Sequence, residues 1–235
     1  IEYYIKKETK MKKSNIIITL LILSGYILIA QETTIDLENY TKLKVYDQIG
    51  VTLVKSSSNK AVISGDDQDQ VDIVNKKGEL KVKMRMGKML SGKHTDVILY
   101  HTQNLEGLDV NEGAKLSSKD VLGDKYLKLS AQEGGEIEVE VNAQNIESKA
   151  ITGGIIKVSG SATVQKIEIN SGGSFDGRNL SNDQTTVNVL AGGNASVNSK
   201  KMVDAHVTAG GSIDIYGKPE KVDQDKSLGG TITVH

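Results

Sequence analysis

The stretch Ile151-Thr-Gly-Gly-Ile-Ile-Lys-Val158 decides the fold, because its pattern returns along the second half of the chain. Each time, a glycine pair is followed by alternating apolar and polar residues, and the first glycines lie 18 to 21 residues apart. Such a period predicts a stack of similar small units, each of which buries its apolar face only against its neighbours. The members are the six pairs Gly134-Gly135, Gly153-Gly154, Gly172-Gly173, Gly192-Gly193, Gly210-Gly211 and Gly229-Gly230, and a degenerate seventh member, Gly113-Ala114, in which alanine replaces the second glycine.

The residues around each glycine pair alternate with a period of two. Aliphatic residues stand three and five places before and after the first glycine in most repeats, with polar or mixed residues between them. This alternation predicts strands that bury one face. The step suits one coil of a single-stranded parallel β-helix, in which each strand pairs with its equivalent in the next coil. Each coil is predicted as strand, glycine corner, strand and a short return through polar or small residues. Glycine suits the corner because it adopts positive φ and permits close backbone approach.

Other repeat classes fit less well. A leucine-rich repeat needs a Leu-x-x-Leu-x-Leu frame that is missing here, and a β-propeller blade needs about twice the period. The calcium-binding nonapeptide repeat needs a recurrent aspartate, but Lys157 and Thr233 occupy the equivalent site in two coils. No glycine pair is followed by Gly-Lys-Ser/Thr, so the pairs are interpreted as corners rather than phosphate-binding loops.

The region 31–105 is less regular and is predicted to continue or cap the stack. One worn repeat is centred on Gln48-Ile49, with aliphatic residues in the same frame around it. Lys77-Gly78 is a predicted hairpin turn, and the polar stretch Gly87–His94 is a predicted loop. A cap is expected because an open β-helix end would expose pairing edges. Further candidate strands are Ala61–Ser64, Val71–Val74, Leu80–Met84 and Asp96–Tyr100.

The N-terminal residues are typical of export. Two lysines follow Met11, an apolar run extends to Ile29, and Ala30 ends it; residues 11–30 are therefore predicted to be a secretory signal peptide. A membrane anchor is the alternative, although the run is shorter than a span of ~20 residues. Residues 1–10 precede the methionine and are interpreted as a non-native upstream extension.

Composition narrows the class of function. The chain has no cysteine, which excludes disulfides, thiolate metal sites and cysteine nucleophiles. Removal of residues 1–30 would leave 24 basic and 28 acidic residues, a net charge of −4, which attracts neither nucleic acid nor an anionic membrane. No stable membrane span would remain after signal cleavage. The mature chain is predicted to be one domain, residues 31–235, with an N-terminal β region at 31–105 and the glycine-repeat β-helix at 106–235.

The sequence contains no recognisable constellation of catalytic or metal-binding residues. The histidines have no second ligand at metal-binding spacing, and His206 is predicted to point outward because it lies between Ala205 and Val207. General acid–base catalysis would need carboxylates that converge in a groove, whereas the carboxylates here alternate with lysine and threonine. Catalytic, cofactor-binding and metal-binding residues are predicted to be absent, and the ligand-binding residues stay unknown. The residues weighed for such roles are His94, His101, His206, His235, Glu136, Glu138, Asp176, Asp214, Arg85, Arg178, Tyr100, Tyr126 and Tyr216.

Four motifs give the chain a resemblance to the head GIN domain family, also called putative auto-transporter adhesin (DUF2807). They are Tyr40-Thr-Lys-Leu-Lys-Val-Tyr-Asp-Gln-Ile-Gly-Val-Thr-Leu53, Gly78-Glu-Leu-Lys-Val82, Val97-Ile-Leu-Tyr-His-Thr-Gln-Asn-Leu-Glu-Gly-Leu108 and Gly211-Ser-Ile-Asp-Ile-Tyr-Gly-Lys-Pro219. The resemblance covers essentially all of residues 36–235. It implies an all-β, right-handed β-helix that is exported to the cell envelope, often in Gram-negative bacteria.

Together these features predict an exported, non-enzymatic β-helix protein that presents an extended surface for binding at the cell envelope. Its place would be the periplasm, the outer-membrane surface or the exterior of the cell. The expected partner is an unknown cell-surface glycan or protein, and no cofactor is expected. Two alternatives stay open: a structural or scaffolding periplasmic protein, which could form a homo-oligomer through its sheet faces, and a polysaccharide-processing β-helix enzyme.

Overall fold

Strands stacked coil upon coil make up most of the computed structural model, which describes residues 32–235. These residues form one compact unit without an α-helix, and none of their helical turns is long and apolar enough to cross a membrane. The predicted signal peptide at 11–30 and the extension at 1–10 lie outside the described residues. The strands are β1 (Thr33–Asp36), β2 (Lys42–Val45), β3 (Gly50–Lys55), β4 (Lys60–Gly65), β5 (Val71–Lys76), β6 (Glu79–Met84), β7 (Thr95–His101), β8 (Gly107–Val110), β9 (Lys115–Ser118), β10 (Tyr126–Gln132), β11 (Glu136–Ile151), β12 (Ile155–Asn170), β13 (Ser174–Asp176), β14 (Leu180–Leu190), β15 (Asn194–Thr208), β16 (Ser212–Tyr216), β17 (Lys221–Ser227) and β18 (Thr231–Val234); the short 3₁₀ helices are Gln68–Gln70 and Gly92–His94.

Each long strand pairs in parallel with its equivalent one coil further on. β11 pairs with β12 from Glu136↔Ile155 to Ile151↔Asn170, so one coil corresponds to the repeat in the sequence. β14 pairs with β15, and β16 with β18, in the same parallel manner. The result is a β-solenoid of about seven turns with a less regular N-terminal region. The prediction of a parallel β-helix is confirmed.

The return segment of the coil differs from the prediction. β11, β12 and β15 run from one glycine corner to the next, so in these coils the return is itself part of a strand. The reason is that the returns of neighbouring coils also stack in register, as at Asn142↔Ser161 and Ala143↔Ala162. This pairing satisfies backbone groups that a loop would have to expose to water. From β9 onward, the returns are interrupted after β9, β13 and β16.

The two glycines of the corner Thr152-Gly153-Gly154 have different physical roles. Thr152 and Gly153 have φ values of 50° and 74°, and the Gly154 N–H donates to the carbonyl of Ile151 at 2.9 Å, as in a two-residue type I′ turn. The first glycine faces open space and is favoured for its left-handed backbone. A Cβ on the second glycine would instead overlap the carbonyl oxygen of Ala131 in the preceding coil. Coil-to-coil contact therefore excludes a side chain there.

The predicted aliphatic columns fill the interior of the solenoid. Ile137, Ile156 and Ile213 are completely buried, and Phe175 continues their column. The column ends at Ile232, which is only partly buried because β18 is the last strand of the stack. Buried side chains thus occupy the interior of the solenoid along these columns.

The N-terminal region contains a complete coil that is inserted between two others. β2 pairs in parallel with β6 and β8, and β3 pairs in parallel with β7 and β9. Its corner contains Gln48 with a φ of 64°, which confirms the worn repeat. The order of strands in space therefore differs from their order in the sequence. The strands β6 and β7 pair with one edge of β2 and β3, and the strands β8 and β9 pair with the other edge.

Antiparallel strands cap the end of the stack that β6 and β7 form, as predicted, and we call β1 and β4–β7 the capping region. β4 pairs with β7, β5 with β6, and β1 with β4, all antiparallel. The turn at Lys77-Gly78 has φ values of 53° and 82° and joins β5 to β6, which confirms the predicted hairpin. The stretch Gly87–His94 is a loop that ends in the second 3₁₀ helix.

Candidate ligand-binding surfaces

The outward side chains of the coils form two sheet faces. The post-corner face consists of the outward residues just after each corner, and it includes Glu136, Glu138, Asp176 and Asp214. The pre-corner face consists of the outward residues before each corner, and it includes Tyr126 and His206. Residues weighed from the sequence therefore fall on both faces.

Ion pairs hold the carboxylates of the post-corner face. The carboxylate of Glu136 lies 3.3 Å from Lys115 Nζ and 3.0 Å from Lys157 Nζ, and the hydrogen bond from Lys157 lowers its pKa. Asp176 accepts hydrogen bonds of 3.0 and 2.6 Å from the Arg178 guanidinium, which lower the pKa of this carboxyl as well. Both groups stay ionised at neutral pH, whereas a general acid needs a raised pKa.

Two shallow grooves adjoin on the post-corner face. They have volumes of 390 and 340 Å³ and share Ser117 and Glu138. Both volumes fall in the ~300–1,000 Å³ range of ligand pockets. Their charged lining includes the Glu136–Lys157 pair, so a partner here would meet groups that already have ionic partners.

Two of the three tyrosines weighed from the sequence already have a stacking partner. The rings of Tyr216 and His235 lie parallel with their centroids 4.4 Å apart. In the capping region, Lys60 Nζ lies 4.6 Å from the ring centroid of Tyr100. Within residues 32–235, no ring or cation stacks on Tyr126, which is 44% exposed. Tyr126 is therefore the best-placed aromatic surface for a ligand.

His206 and His235 both have carboxylate partners. His206 points outward as predicted, with Nε2 2.8 Å from Asp204 and Nδ1 3.8 Å from Asp225 of the next coil. His235 Nε2 lies 2.9 Å from Asp214. Across the described residues, no group of three His, Cys, Asp or Glu side chains is placed to hold a metal ion.

The other candidates from the sequence lie in or near the capping region. His101 is buried, and its Nδ1 lies 2.9 Å from the carbonyl of Gln103. His94 and Arg85 are exposed at the two sides of the loop between β6 and β7. These residues are not brought together with the outward carboxylates of the repeats.

An acidic corner was not apparent from the sequence, because its members belong to different coils. Asp47 is buried, and its carboxylate accepts hydrogen bonds from the backbone N–H groups of Met84 and Leu90, both at 2.9 Å. Burial, followed by the charge of Asp47, raises the pKa of Glu112, and Glu133 adds to the effect. Asp47 thus anchors the loop after β6 and lies beside Glu112, a carboxyl group with a raised pKa.

The pre-corner face contains a groove of 480 Å³ across β2, β8 and β10, which we name the Tyr126 groove. Gly107 of β8 forms its floor and is paired with Lys42 of β2 on one side and Lys128 of β10 on the other. Tyr126 forms one wall. The further charged residues of the lining are Lys44, Glu79, Glu106 and Asp109.

Fold and surface define a class: a β-solenoid with a buried apolar interior and polar outer faces. The chain belongs to the family described as putative auto-transporter adhesin, head GIN domain, whose model matches residues 39–219. This confirms the family expected from the four motifs. A comparison with curated proteins found no match.

Solved structures with this fold include proteins from Bacteroides and Parabacteroides. A putative adhesin from Bacteroides fragilis aligns with a TM-score of 0.80 at 17% identity, over 87% of this chain and 96% of that one. A putative adhesin from Parabacteroides merdae aligns with a TM-score of 0.68 at 16% identity, over 87% and 95%. A putative lipid binding protein from Parabacteroides distasonis gives 0.64 at 13%, over 87% and 96%. At these identities the likeness is one of fold.

Proposed function

We propose that this protein is an exported, non-enzymatic β-solenoid that binds a partner at the cell envelope through its outward sheet faces. The observation that carries the proposal is the continuous polar surface that the stacked coils expose, with a groove and an exposed aromatic ring on one face. The family, described as putative auto-transporter adhesin, and the structural neighbours described as putative adhesins support the same class of function.

The ionisation of the outward carboxylates supports binding over catalysis. A polysaccharide-processing enzyme needs two carboxyl groups with pKa values pushed apart at one cleft. On the post-corner face, the pKa values of Glu136 and Asp176 are both lowered by their basic partners. Glu112 has a raised pKa, but the neighbouring Asp47 is committed to two backbone N–H groups.

Export is part of the proposal. Residues 11–30 would direct secretion and be removed, residues 31–235 would be the mature domain, and residues 1–10 would not belong to it. The proposed locations are the periplasm, the outer-membrane surface and the exterior of a Gram-negative cell. Expression of the chain from Met11 followed by mass spectrometry of the exported product tests this part, with Gln31 as the expected first residue.

Binding is tested with the protein from Gln31 onward, since residues 32–235 form one compact unit. The protein is mixed with bacterial envelope fractions, mucin and extracellular-matrix proteins, and the bound fraction is measured after sedimentation. We expect saturable binding to at least one of these surfaces and no new reducing ends or unsaturated products from polysaccharides. Absence of saturable binding would contradict the proposal, and released sugar products would favour the enzyme alternative. Sedimentation equilibrium separates a monomeric binder from a self-assembling scaffold.

A further inference from the structure

Gly107 is the one described glycine that neither backbone conformation nor packing explains. Every other glycine in residues 32–235 has a left-handed φ, or would place a Cβ within 3.0 Å of another atom. A Cβ on Gly107 would meet only Lys42 Cγ, at an ordinary contact distance of 3.7 Å. Glycine is unfavourable inside a strand because it has no side chain to pack and loses most backbone freedom. The structure would therefore accommodate a larger residue here.

The absent side chain opens a slot in a column of long side chains. Along this column on the pre-corner face, Glu79, Lys42, Gly107, Lys128, Glu147 and Lys166 stand side by side on neighbouring strands. Neighbouring strands lie about 4.8 Å apart. The backbones of Lys42 and Lys128 are thus about 10 Å apart across Gly107, which leaves room for a flat ring between their side chains.

One wall of the slot is held in place before any ligand arrives. The Tyr126 hydroxyl donates a 2.7 Å hydrogen bond to Glu147, and Lys128 Nζ donates a 2.9 Å bond to the same carboxylate. Burial and this hydrogen bond raise the pKa of Tyr126 to about 12, so the ring stays neutral. A ring that is already fixed loses little conformational entropy when it binds.

The charges of the Tyr126 groove balance. Three lysines and three carboxylates line it, so a charged ligand would gain little from the net field. Lys44 and Glu79 pair with each other at 3.2 Å. Lys42 has no ion pair within the described chain, and Glu106 accepts only a long 3.4 Å bond from Thr41. A donor and an acceptor are therefore free to meet hydroxyl groups.

We propose that the Tyr126 groove binds a neutral oligosaccharide, an inference that rests on the binding function proposed above. One apolar C–H face of a sugar ring packs on Tyr126, since an aromatic ring offers a rigid apolar surface. The ring occupies the slot above Gly107. Its hydroxyls accept hydrogen bonds from Lys42 and donate them to Glu106. The groove volume of 480 Å³ suits a short stretch of such a chain.

The test uses neutral gluco-, manno-, galacto- and xylo-oligosaccharides as probes, with an oligogalacturonate as the acidic comparison. Affinities of the protein from Gln31 onward are measured by calorimetry at ligand concentrations up to about 10 mM, which detects weak binding. The variants are Gly107→Val and Tyr126→Ala. Thr186→Val is the matched control, because Thr186 lies in the same column outside the groove. Melting temperatures are measured for all of them.

We expect one or more neutral probes to bind, and Gly107→Val and Tyr126→Ala each to weaken binding about tenfold or more. Gly107→Val should keep or raise the melting temperature, because valine favours a strand, so loss of binding cannot be ascribed to unfolding. Thr186→Val should bind like the parent protein. No binding to any neutral probe, equal binding by Gly107→Val, or preference for the acidic probe would overturn the proposal.

The two proposals fail in different ways. If Gly107→Val binds envelope fractions as well as the parent protein does, the groove is not the binding site, although the binding function stands. If neither protein binds any envelope or matrix preparation, the binding function itself fails. Loss of binding by Gly107→Val to a protein but to no sugar would mean that the groove takes a peptide, which overturns the carbohydrate assignment.

Discussion

Alanine substitution of the two glycines of one corner should have unequal costs. At Gly153, φ is +74° and no atom lies within 4 Å of an added Cβ, so alanine meets only the left-handed penalty of about 1–2 kcal/mol. At Gly154, an added Cβ overlaps the backbone carbonyl of Ala131, and backbone cannot yield as a flexible side chain can. Relief requires separating two paired coils, which should cost about 3 kcal/mol or more.

Thermal unfolding by circular dichroism measures the difference. For a domain of this size, ~1 kcal/mol shifts the melting temperature by ~2–4 °C. Gly153→Ala should therefore lower it by ~2–8 °C and Gly154→Ala by ~6–12 °C or more. Gly172→Ala and Gly173→Ala repeat the comparison in the next coil, where the same contrast holds. Equal shifts, or a larger loss for the first glycine of each pair, would refute the distinct roles assigned to them.

Two further predictions concern the column ends and the acidic corner. Ile213→Ala should lower the free energy of unfolding, measured in urea, by ~2–5 kcal/mol. Ile232→Ala should lower it clearly less, because Ile213 is fully buried and Ile232 is only partly buried. Equal losses for the two variants would contradict the packing described above. The pKa of Glu112 is raised in the folded protein, so protonation of this carboxyl group stabilises the fold. This stabilisation is fully present below the pKa of the unfolded chain and is lost as pH rises through the pKa of the folded protein. Glu112→Gln should thus match the parent protein near pH 4 and be more stable by a few tenths of a kcal/mol at pH 7, after solvent screening. A variant that is less stable at pH 7 would contradict this.

The coil architecture was predictable because it is a periodic property. A pattern that repeats every 18 to 21 residues specifies which side chains stack, so the burial of Ile137, Ile156 and Ile213 followed directly. The continuous returns through Asn142 and Ala143 could not be foreseen, because polar or small residues form strands there only through pairing with the next coil.

The candidate site was not predictable, because it depends on an order of coils that local pattern does not encode. Gly107 resembles an ordinary turn residue in the sequence. Its significance appears only when β2, which lies far away in the chain, pairs beside β8 and places Lys42 next to it. The same holds for Glu112 and Asp47, whose proximity depends on the insertion of the β2–β3 coil. Tyr126 could be named from the sequence, but its fixed orientation depends on Glu147 of the next coil.

The most direct test of the structural basis of the site is a cross-link across Gly107. The chain has no cysteine, so Lys42→Cys with Lys128→Cys introduces the only two thiols, about 10 Å apart by strand spacing. Lys42→Cys with Lys166→Cys is the control in the same column, about 19 Å apart. A short bis-maleimide of about 10 Å reach should link the first pair within one chain and leave the second unlinked. Failure to link positions 42 and 128, or equal linking of 42 and 166, would contradict the inserted coil and the groove it forms.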